Sequence, residues 1–525
     1  MHIHYNTNQT TLPLELACIL PQDHLVFTIE KVVNSLEDSH FHAFYHDFGR
    51  PSYHPKMLLA ALLFAYSQGI FSGRKIEKMM IENIAMQYLT GQLLVSYRTI
   101  NRFRVAAGME DLIRDLFIDL NLRLKMEELV TLDCLFIDGT KIEANANKYS
   151  FVWKKATDKF SVKLQEQIQV YFQEEITPLI HQAIRLDEEE PISSEQLIEF
   201  AHLLEEELAK LNQDIEETPV KGKDERKTQR RKLKKVLRKV KDDFSVRAKK
   251  YESYQETFDG RNSFSKTDPD ATFMRMKEDA MKNGQLKPSY NVQVGNENTF
   301  AIGYDIFADA ADMRTLPVHI DNVQKRLEHT FEMVIADAGY GSEENYEYLE
   351  RNGSVALVKY GSYHQQRKKS FKKKIFNSEN WDYDSEQKAY TCPAGKPVAY
   401  VKTVTKETKN GYTHTIDIYQ CHSCEGCSLR EKCTKAKEGR TVQRNEKRLA
   451  QKKQVNERLD DDENKEIMKR RSVECETVFG QIKGNQHFRR FYLRSTEKVR
   501  VEIALLLLGY NIKNLMRKEQ EKKAT

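Results

Sequence analysis

No apolar run in this 525-residue sequence is long enough to cross a bilayer, since the longest strictly apolar stretch, 57–66, falls well short of a span. No membrane partner is expected. Met1 is followed by His, Ile, His, Tyr, Asn and Thr rather than by a basic cap and an apolar core, so no secretory signal is expected and the predicted compartment is the cytoplasm. An excess of one charge is missing as well. Lysine and arginine number 83 against 78 aspartates and glutamates, and the resulting +5 identifies no partner by itself. There is no Gly-rich loop ending in Lys-Ser/Thr and no dinucleotide fingerprint, so no nucleotide cofactor is expected. Cysteine is scarce except in one place. Cys18, Cys134 and Cys475 stand alone, whereas Cys392, Cys421, Cys424, Cys427 and Cys433 crowd together, which in a cytosolic chain points to metal before disulfide.

What is present reads as several domains. The segment 1–125 is predicted to be an all-α domain. From Pro55 to about Phe71 the text is apolar nearly all round, as in a buried helix. Gly73 opens a second helix and Ser96 caps a third, on which Arg98 and Arg102 fall one turn apart. That is either a helix-turn-helix reader of DNA or the solvated face of a bundle. A mixed α/β core is expected over 126–151, 255–366 and 448–517, interrupted by a helical coiled-coil insertion, 152–254, and a Cys-rich insertion, 367–447, and followed by a tail, 518–525. In the coiled coil, Leu197, Ala201, Leu204, Leu208, Leu211 and Ile215 step by four and three, with Leu233, Val236, Val240, Phe244 and Tyr251 as the partner stripe. Two antiparallel helices are the natural reading. The arm 187–217 carries twelve acids and one base, the arm 221–250 fifteen bases and four acids, so −11 faces +11 and structural pairing is expected before nucleic-acid binding.

Two aspartates share a setting. Asp138 ends the run LFID before Gly139-Thr140, and Asp337 ends FEMVIAD before Ala338-Gly339. Asp133, five residues earlier, belongs on the opposite face of its strand. Between the two, SYNVQVGNENTFAIGYDIF predicts a hairpin turning at Gly-Asn-Glu-Asn. Carboxylates at neighbouring strand ends can converge, and two such charges are tolerated best around a divalent cation. A third could come from the helix RRSVECETVFGQIKGNQHFRR, where Glu474 and Glu476 face about 200° apart, so that only one points inward. Lys483 selects Glu476, because seven residues on it lies on the same face about 10 Å along, placed to hold a phosphate. Arg489, Arg490 and Arg494, interleaved with Phe488, Phe491 and Tyr492, make a basic aromatic patch that is either a DNA contact or a helix end packing into the core. In the Cys-rich segment Cys421, Cys424, Cys427 and Cys433 are the favoured ligands of a structural Zn²⁺, with Cys392 as substitute.

FIDGTKIEANANKYSFVWKK, ADAGYGSEENYEYL and ETVFGQIKGNQHFRRFYLRSTEKVRVEIALLLLGYNIKNL resemble the DDE transposases of bacterial insertion sequences, whose catalytic domain is RNase H-like. GRPSYHPKMLLAALLFAYSQGIFSGRKIE and YRTINRFR resemble the helical domain that precedes that core. The resemblance implies an acidic triad of Asp138, Asp337 and Glu476 holding Mg²⁺ or Mn²⁺, cleavage and strand transfer on double-stranded DNA, and a homodimer on that DNA, associated with the bacterial nucleoid. DNA contacts are expected from Lys483, Arg489, Arg490, Arg98 and Arg102. One position departs: the family often has an Arg four residues before the Glu, where this chain has Ser472, with Arg470 and Arg471 alongside. A haloacid-type phosphatase fails because the position of its nucleophile is Phe136. A transposase-derived DNA-binding protein without catalysis is the alternative.

Overall fold

The computed structural model describes residues 15–45, 52–179, 191–276 and 284–524. Gly49, Arg50 and Pro51 of the N-terminal motif, Asp187 and Glu188 to Glu190 of the acidic arm, and the final tail residue Thr525 lie outside the described residues. The chain forms two compact units, Met1–Ile142 with Tyr290–Thr525, and Glu143–Ser289.

In the first unit the apolar N-terminal text becomes the helix Pro55–Ser67, buried from Leu58 onward because its apolar residues leave no polar stripe to face water. The helix Gly73–Glu82 follows, and Ser96 accepts the Thr99 amide at 3.4 Å to cap Tyr97–Arg104. A short helix, Ile84–Thr90, intervenes between these two, so the expected helix pair is not consecutive. Arg98 and Arg102 are exposed. The C-terminal helix, Thr496–Ala524, brings the fully buried run from Leu505 to Leu508 to the same core.

The mixed sheet is built on the strand Cys134–Glu143, which lies between Leu286–Glu297 and Met333–Gly341. Met333–Gly341 pairs parallel with both Cys134–Glu143 and Val355–Tyr360, as expected where helices connect strands. Residues 291–297 pair antiparallel with Phe300–Phe307. The predicted hairpin therefore forms, but its turn is Asn298-Thr299, both at positive φ (49° and 66°). The Gly-Asn-Glu text sits in the strand instead, where it carries a register shift. A β-branched residue in the left-handed region is strained, and Thr299 is held there from both sides. Its amide donates to Glu474 Oε2 at 2.5 Å, and its carbonyl accepts from Tyr510 Oη at 2.6 Å and Asn514 Nδ2 at 3.1 Å.

The Cys-rich segment folds as a five-stranded antiparallel sheet running from Tyr383–Asp384 through Ala389–Thr391, Pro397–Glu407 and Thr413–Gln420 to Thr441–Arg444. Its small core holds Trp381, Tyr390, Val398, Tyr419, Cys421 and Val442.

In the second unit the helices Lys154–Tyr171, Ser194–Glu217 and Glu225–Arg238, the π-helical Lys239–Phe244 and the helix Ser245–Phe258 pack around one core. Leu197, Ala201, Leu204, Leu233, Val236, Val240 and Phe244 are buried in it as the heptads require. The two-helix expectation is too small. Leu164, Ile168, Phe172 and Ile176 enter the same core, because that helix is amphipathic too. The expected charge pairing between arms is also not what is found: among the described residues, Lys241 with Glu205 at 2.5 Å is the one ion pair that joins the basic stretch to the acidic helix. Heptad packing turns the charged positions outward, to water, on both helices.

No helix among the described residues is long and apolar enough to cross a membrane.

Candidate active site

The parallel pairing of Cys134–Glu143 with Met333–Gly341 runs from Cys134 opposite Met333 to Ile137 opposite Ala336. The next residue on each strand is Asp138 and Asp337. The two aspartates thus come directly after the point at which the pairing of these neighbouring strands stops. Each is anchored in the same way. Asp138 Oδ1 accepts the Gly139 amide at 2.8 Å, and Asp337 Oδ1 accepts the Gly339 amide at 2.7 Å. The small residues after each aspartate put those amides within reach.

Behind the pair lies a layer that the sequence did not reveal. A Cβ on Gly139 would stand 2.3 Å from Gln293 Nε2, 2.9 Å from Asp312 Oδ1 and 3.0 Å from Tyr340 Oη, so a side chain there would displace these groups. Asn291 Nδ2 and Gln293 Nε2 donate to Asp312 Oδ1 at 2.8 and 3.1 Å, and the Tyr340 hydroxyl donates to Gln293 Oε1. Burial, then the charges of Asp312, Asp138 and Asp337, hold the Tyr340 phenol well above its ordinary value, so it stays a neutral donor. Asn291 and Gln293 alternate with Val292 and Val294, the pattern of a strand with one wet face, yet all four are fully buried. Polar residues alternating in a strand next to an Asp-Gly-Thr strand were the available signal.

The helix Asp462–Phe479 carries the third acid and several cations. Arg471 Nη1 lies 4.0 Å from Asp138 Oδ2, and the Arg470 guanidinium lies 5.5 Å from the centre of the Phe136 ring. Cys475, on the same helix, is buried, and burial and the nearby Asp138 carboxylate push its thiol up to about 12. Of the two glutamates, the inward one is Glu474. It is 4% exposed, accepts the Thr299 amide and is bridged by Arg470 Nη2 at 3.1 Å. Glu476 is exposed. The expectation that an inward-pointing acid would be the functional one therefore needs correcting, since Glu474 points into the hairpin turn and is committed there. Lys483 is not in helical phase with Glu476 either. Gly480–Asn485 is π-helical, so seven residues no longer make two even turns. Lys483 instead donates from Nζ to the Lys141 carbonyl at 3.1 Å, three residues along the strand from Asp138.

Beyond that helix the aromatic patch divides. Phe488 and Phe491 are buried and pack edge to face at 5.4 Å, while Arg489 and Arg490 are exposed and Tyr492 is 46% exposed. The phenylalanines belong to the core, and the half-exposed Tyr492 ring lies 6.0 Å from that of Phe71. Arg98 is stacked beside Tyr97, 5.9 Å from its ring centre, with Arg74 at 4.9 Å.

The five clustered cysteines line one cavity. Lys396 N donates to Cys392 Sγ and Arg440 N to Cys424 Sγ, both at 3.4 Å. Gly439, at φ 101°, lets the chain close on them, since a Cβ there would stand 2.3 Å from the Cys421 carbonyl and 3.3 Å from Cys424 Sγ. Cys392, Cys421, Cys424 and Cys433 pack with the small aromatic core. Burial and the Cys424 thiol push Cys421 up to about 11. Among the described residues no three His, Cys, Asp or Glu side chains form a ready-made metal site. The donor chemistry nonetheless suits different ions: soft thiols in one place, and hard carboxylate oxygens in the other.

A family model described as a transposase DDE domain matches residues 391–516, a stretch that includes the cysteines from Cys392 onward, Glu476 and Lys483 but neither Asp138 nor Asp337. A second, described as a transposase domain (DUF772), matches residues 14–106, with Arg98 and Arg102. No curated protein and no solved structure matches the chain. With a transposase match toward each end and a mixed α/β fold, the findings support recognition of this chain as a DDE-type transposase of an insertion element, an enzyme class whose partner is DNA.

Proposed function

We propose that this chain cuts and rejoins DNA at the ends of an insertion element, with Asp138, Asp337 and Glu476 as its metal-binding acids. The observation that carries the reading is the placement of Asp138 and Asp337, each directly after the last paired residue of neighbouring parallel strands and each held through Oδ1 by a nearby glycine amide. Carboxylates are the hard ligands that Mg²⁺ or Mn²⁺ prefers. Glu476 is the third acid by commitment, because Glu474 already serves Thr299 and Arg470. A divalent cation held there would supply the charge that phosphodiester exchange needs at its attacking and leaving oxygens. The chain's own groups orient the DNA. Arg471, beside Asp138, takes the place of the displaced family arginine and faces the scissile phosphate, and Lys483, bonded at the base of the same strand, holds a neighbouring one. Arg489 and Arg490 bind the backbone near the cut, Arg98 and Arg102 bind it through the N-terminal helices, and two copies act together on paired ends.

A structural Zn²⁺ in the cysteine cavity completes the reading. The amide donors to Cys392 and Cys424 are the bonds that stabilise ligating thiolates. The sequence favours Cys427 over Cys392, but Cys392 joins Cys421, Cys424 and Cys433 at the aromatic core and Cys427 does not, so Cys392 replaces Cys427 in the proposed four.

The test is cleavage of labelled linear DNA bearing the element's ends, with Mg²⁺. Wild type and Glu474→Gln should nick at the end while Glu476→Gln does not. DNA binding without cleavage by wild type would favour the alternative of a non-catalytic transposase-derived binder.

A further inference from the structure

The helix Glu225–Arg238 and its π-helical continuation Lys239–Phe244 carry ten lysines and arginines between Arg226 and Lys241 and no acid among them. Leu233, Val236 and Val240 bury one side of this helix. The opposite side is a ridge. Lys227, Arg231, Lys234 and Arg238 step by four, three and four residues, so they line up on one face, and all four are exposed. Lys232 and Lys235 flank them, exposed as well.

The ridge is not neutralised by its neighbours. Arg226 is occupied by Asp224, Lys239 by Asp243 and Lys241 by Glu205. None of Lys227, Arg231, Lys232, Lys234, Lys235 or Arg238 forms an ion pair among the described residues. Packing alone would be served by alternating charges, as on an ordinary solvated helix. Four like charges about 5 to 6 Å apart along one face, with two more beside them, repel one another, a cost that a polyanion of matching pitch removes. By helix rise the four-residue row from Lys227 to Arg238 spans about 16 Å, over which duplex DNA carries about nine to ten phosphates.

We infer that this ridge is a sequence-independent binding surface for the backbone of double-stranded DNA, separate from the acids and from the arginines already discussed. The inference rests on the DNA-acting reading above. The row offers cations alone, in a line matched to phosphate spacing, and phosphate contacts position without specifying.

The experiment measures binding of the full chain to a fluorescent 30-base-pair duplex of arbitrary sequence across a potassium chloride series. In the variant Lys227→Gln, Arg231→Gln, Lys234→Gln, Arg238→Gln the slope of log affinity against log salt should fall by about 3.6, since each of four phosphate contacts contributes about 0.9. Exchanging lysine and arginine at the same four positions should keep the slope, which separates loss of charge from loss of fold. Neutralising Glu199, Glu206 and Glu216 on the acidic helix should leave it unreduced. A slope unchanged in the glutamine variant, with wild type binding DNA, overturns this surface alone. A wild type that binds no duplex overturns the DNA-acting reading with it. Loss of self-association without DNA, in the glutamine variant and the acidic-helix variant alike and with the DNA slope intact, makes the ridge a contact between copies and overturns the inference.

Discussion

Asp138 and Asp337 directly follow Ile137 and Ala336, the last paired residues of two adjacent parallel strands, and each accepts on Oδ1 the amide of a glycine one or two residues on. Two anionic side chains are therefore each held by their own backbone before any ligand arrives. Arg471 at 4.0 Å from Asp138 offsets part of that charge. The consequences of the arrangement can be tested one group at a time.

Gly139 should tolerate no side chain. The space its Cβ would need is filled by Gln293, Asp312 and Tyr340, which are tied to one another by hydrogen bonds and cannot withdraw independently. Gly139→Ala is expected to destabilise by about 1 to 3 kcal/mol, as overpacking does, and to abolish cleavage. Urea unfolding with a cleavage assay checks both, and an active variant of unchanged midpoint would show that the layer behind the aspartates yields freely.

Glu474 should matter to the fold and not to the chemistry. Glu474→Ala leaves the Thr299 amide without its acceptor and Arg470 without its partner, at a cost of about 2 to 3 kcal/mol. Chemical unfolding is the measurement. A loss of less than about 0.5 kcal/mol, the scatter of ordinary surface changes, would mean that the hairpin turn holds itself.

Much of this was legible in the sequence. Asp138 and Asp337 stood out because each ends an apolar β-branched run before small residues, and such a pattern survives any change of context. The helices around Pro55 and Ser96 were readable from composition and capping. What escaped were features set by three-dimensional neighbours. The side on which Glu474 lies depends on a hairpin turn about 175 residues earlier, and the phase of Lys483 depends on a π turn that leaves no mark in residue types. Asn291 and Gln293 alternate with valines as on any half-exposed strand, and only the covering of both faces of the sheet makes them part of a buried network. Charge balance misled for the same kind of reason: equal and opposite totals on two helices say nothing about which sides they turn to each other.

Glu502 should make stability depend on pH near neutrality. It is fully buried on the C-terminal helix, accepts amides from Tyr492 at 3.0 Å and Leu493 at 2.9 Å, and faces Arg104 and Tyr66. Burial pushes its carboxyl up to about 7, against the opposing pull of Arg104. A carboxyl raised in the fold favours the folded state while it is protonated. Its contribution is complete below the unfolded value of 4.5 and is lost as pH rises through about 7, by up to about 3 kcal/mol. Wild type should therefore lose stability relative to Glu502→Gln between pH 5 and pH 8. Thermal unfolding of both over that range is the check, and parallel curves would show that Glu502 does not titrate there.

The cysteine cavity should hold one zinc per chain. Purified protein is expected to contain it by elemental analysis, Cys424→Ser and Cys392→Ser should lose it, and Cys427→Ser should keep it. Retention by Cys392→Ser with loss by Cys427→Ser would exchange those two residues in the ligand set.

The most direct test of the paired aspartates is binding of Mn²⁺ itself, followed by electron paramagnetic resonance in the absence of DNA. Wild type should bind the ion, and Asp138→Asn and Asp337→Asn should each weaken it at least tenfold while keeping the wild-type unfolding midpoint to within a few degrees. If both variants bind Mn²⁺ as wild type does, the two carboxylates are not a metal site and the proposed chemistry has no home on these strands.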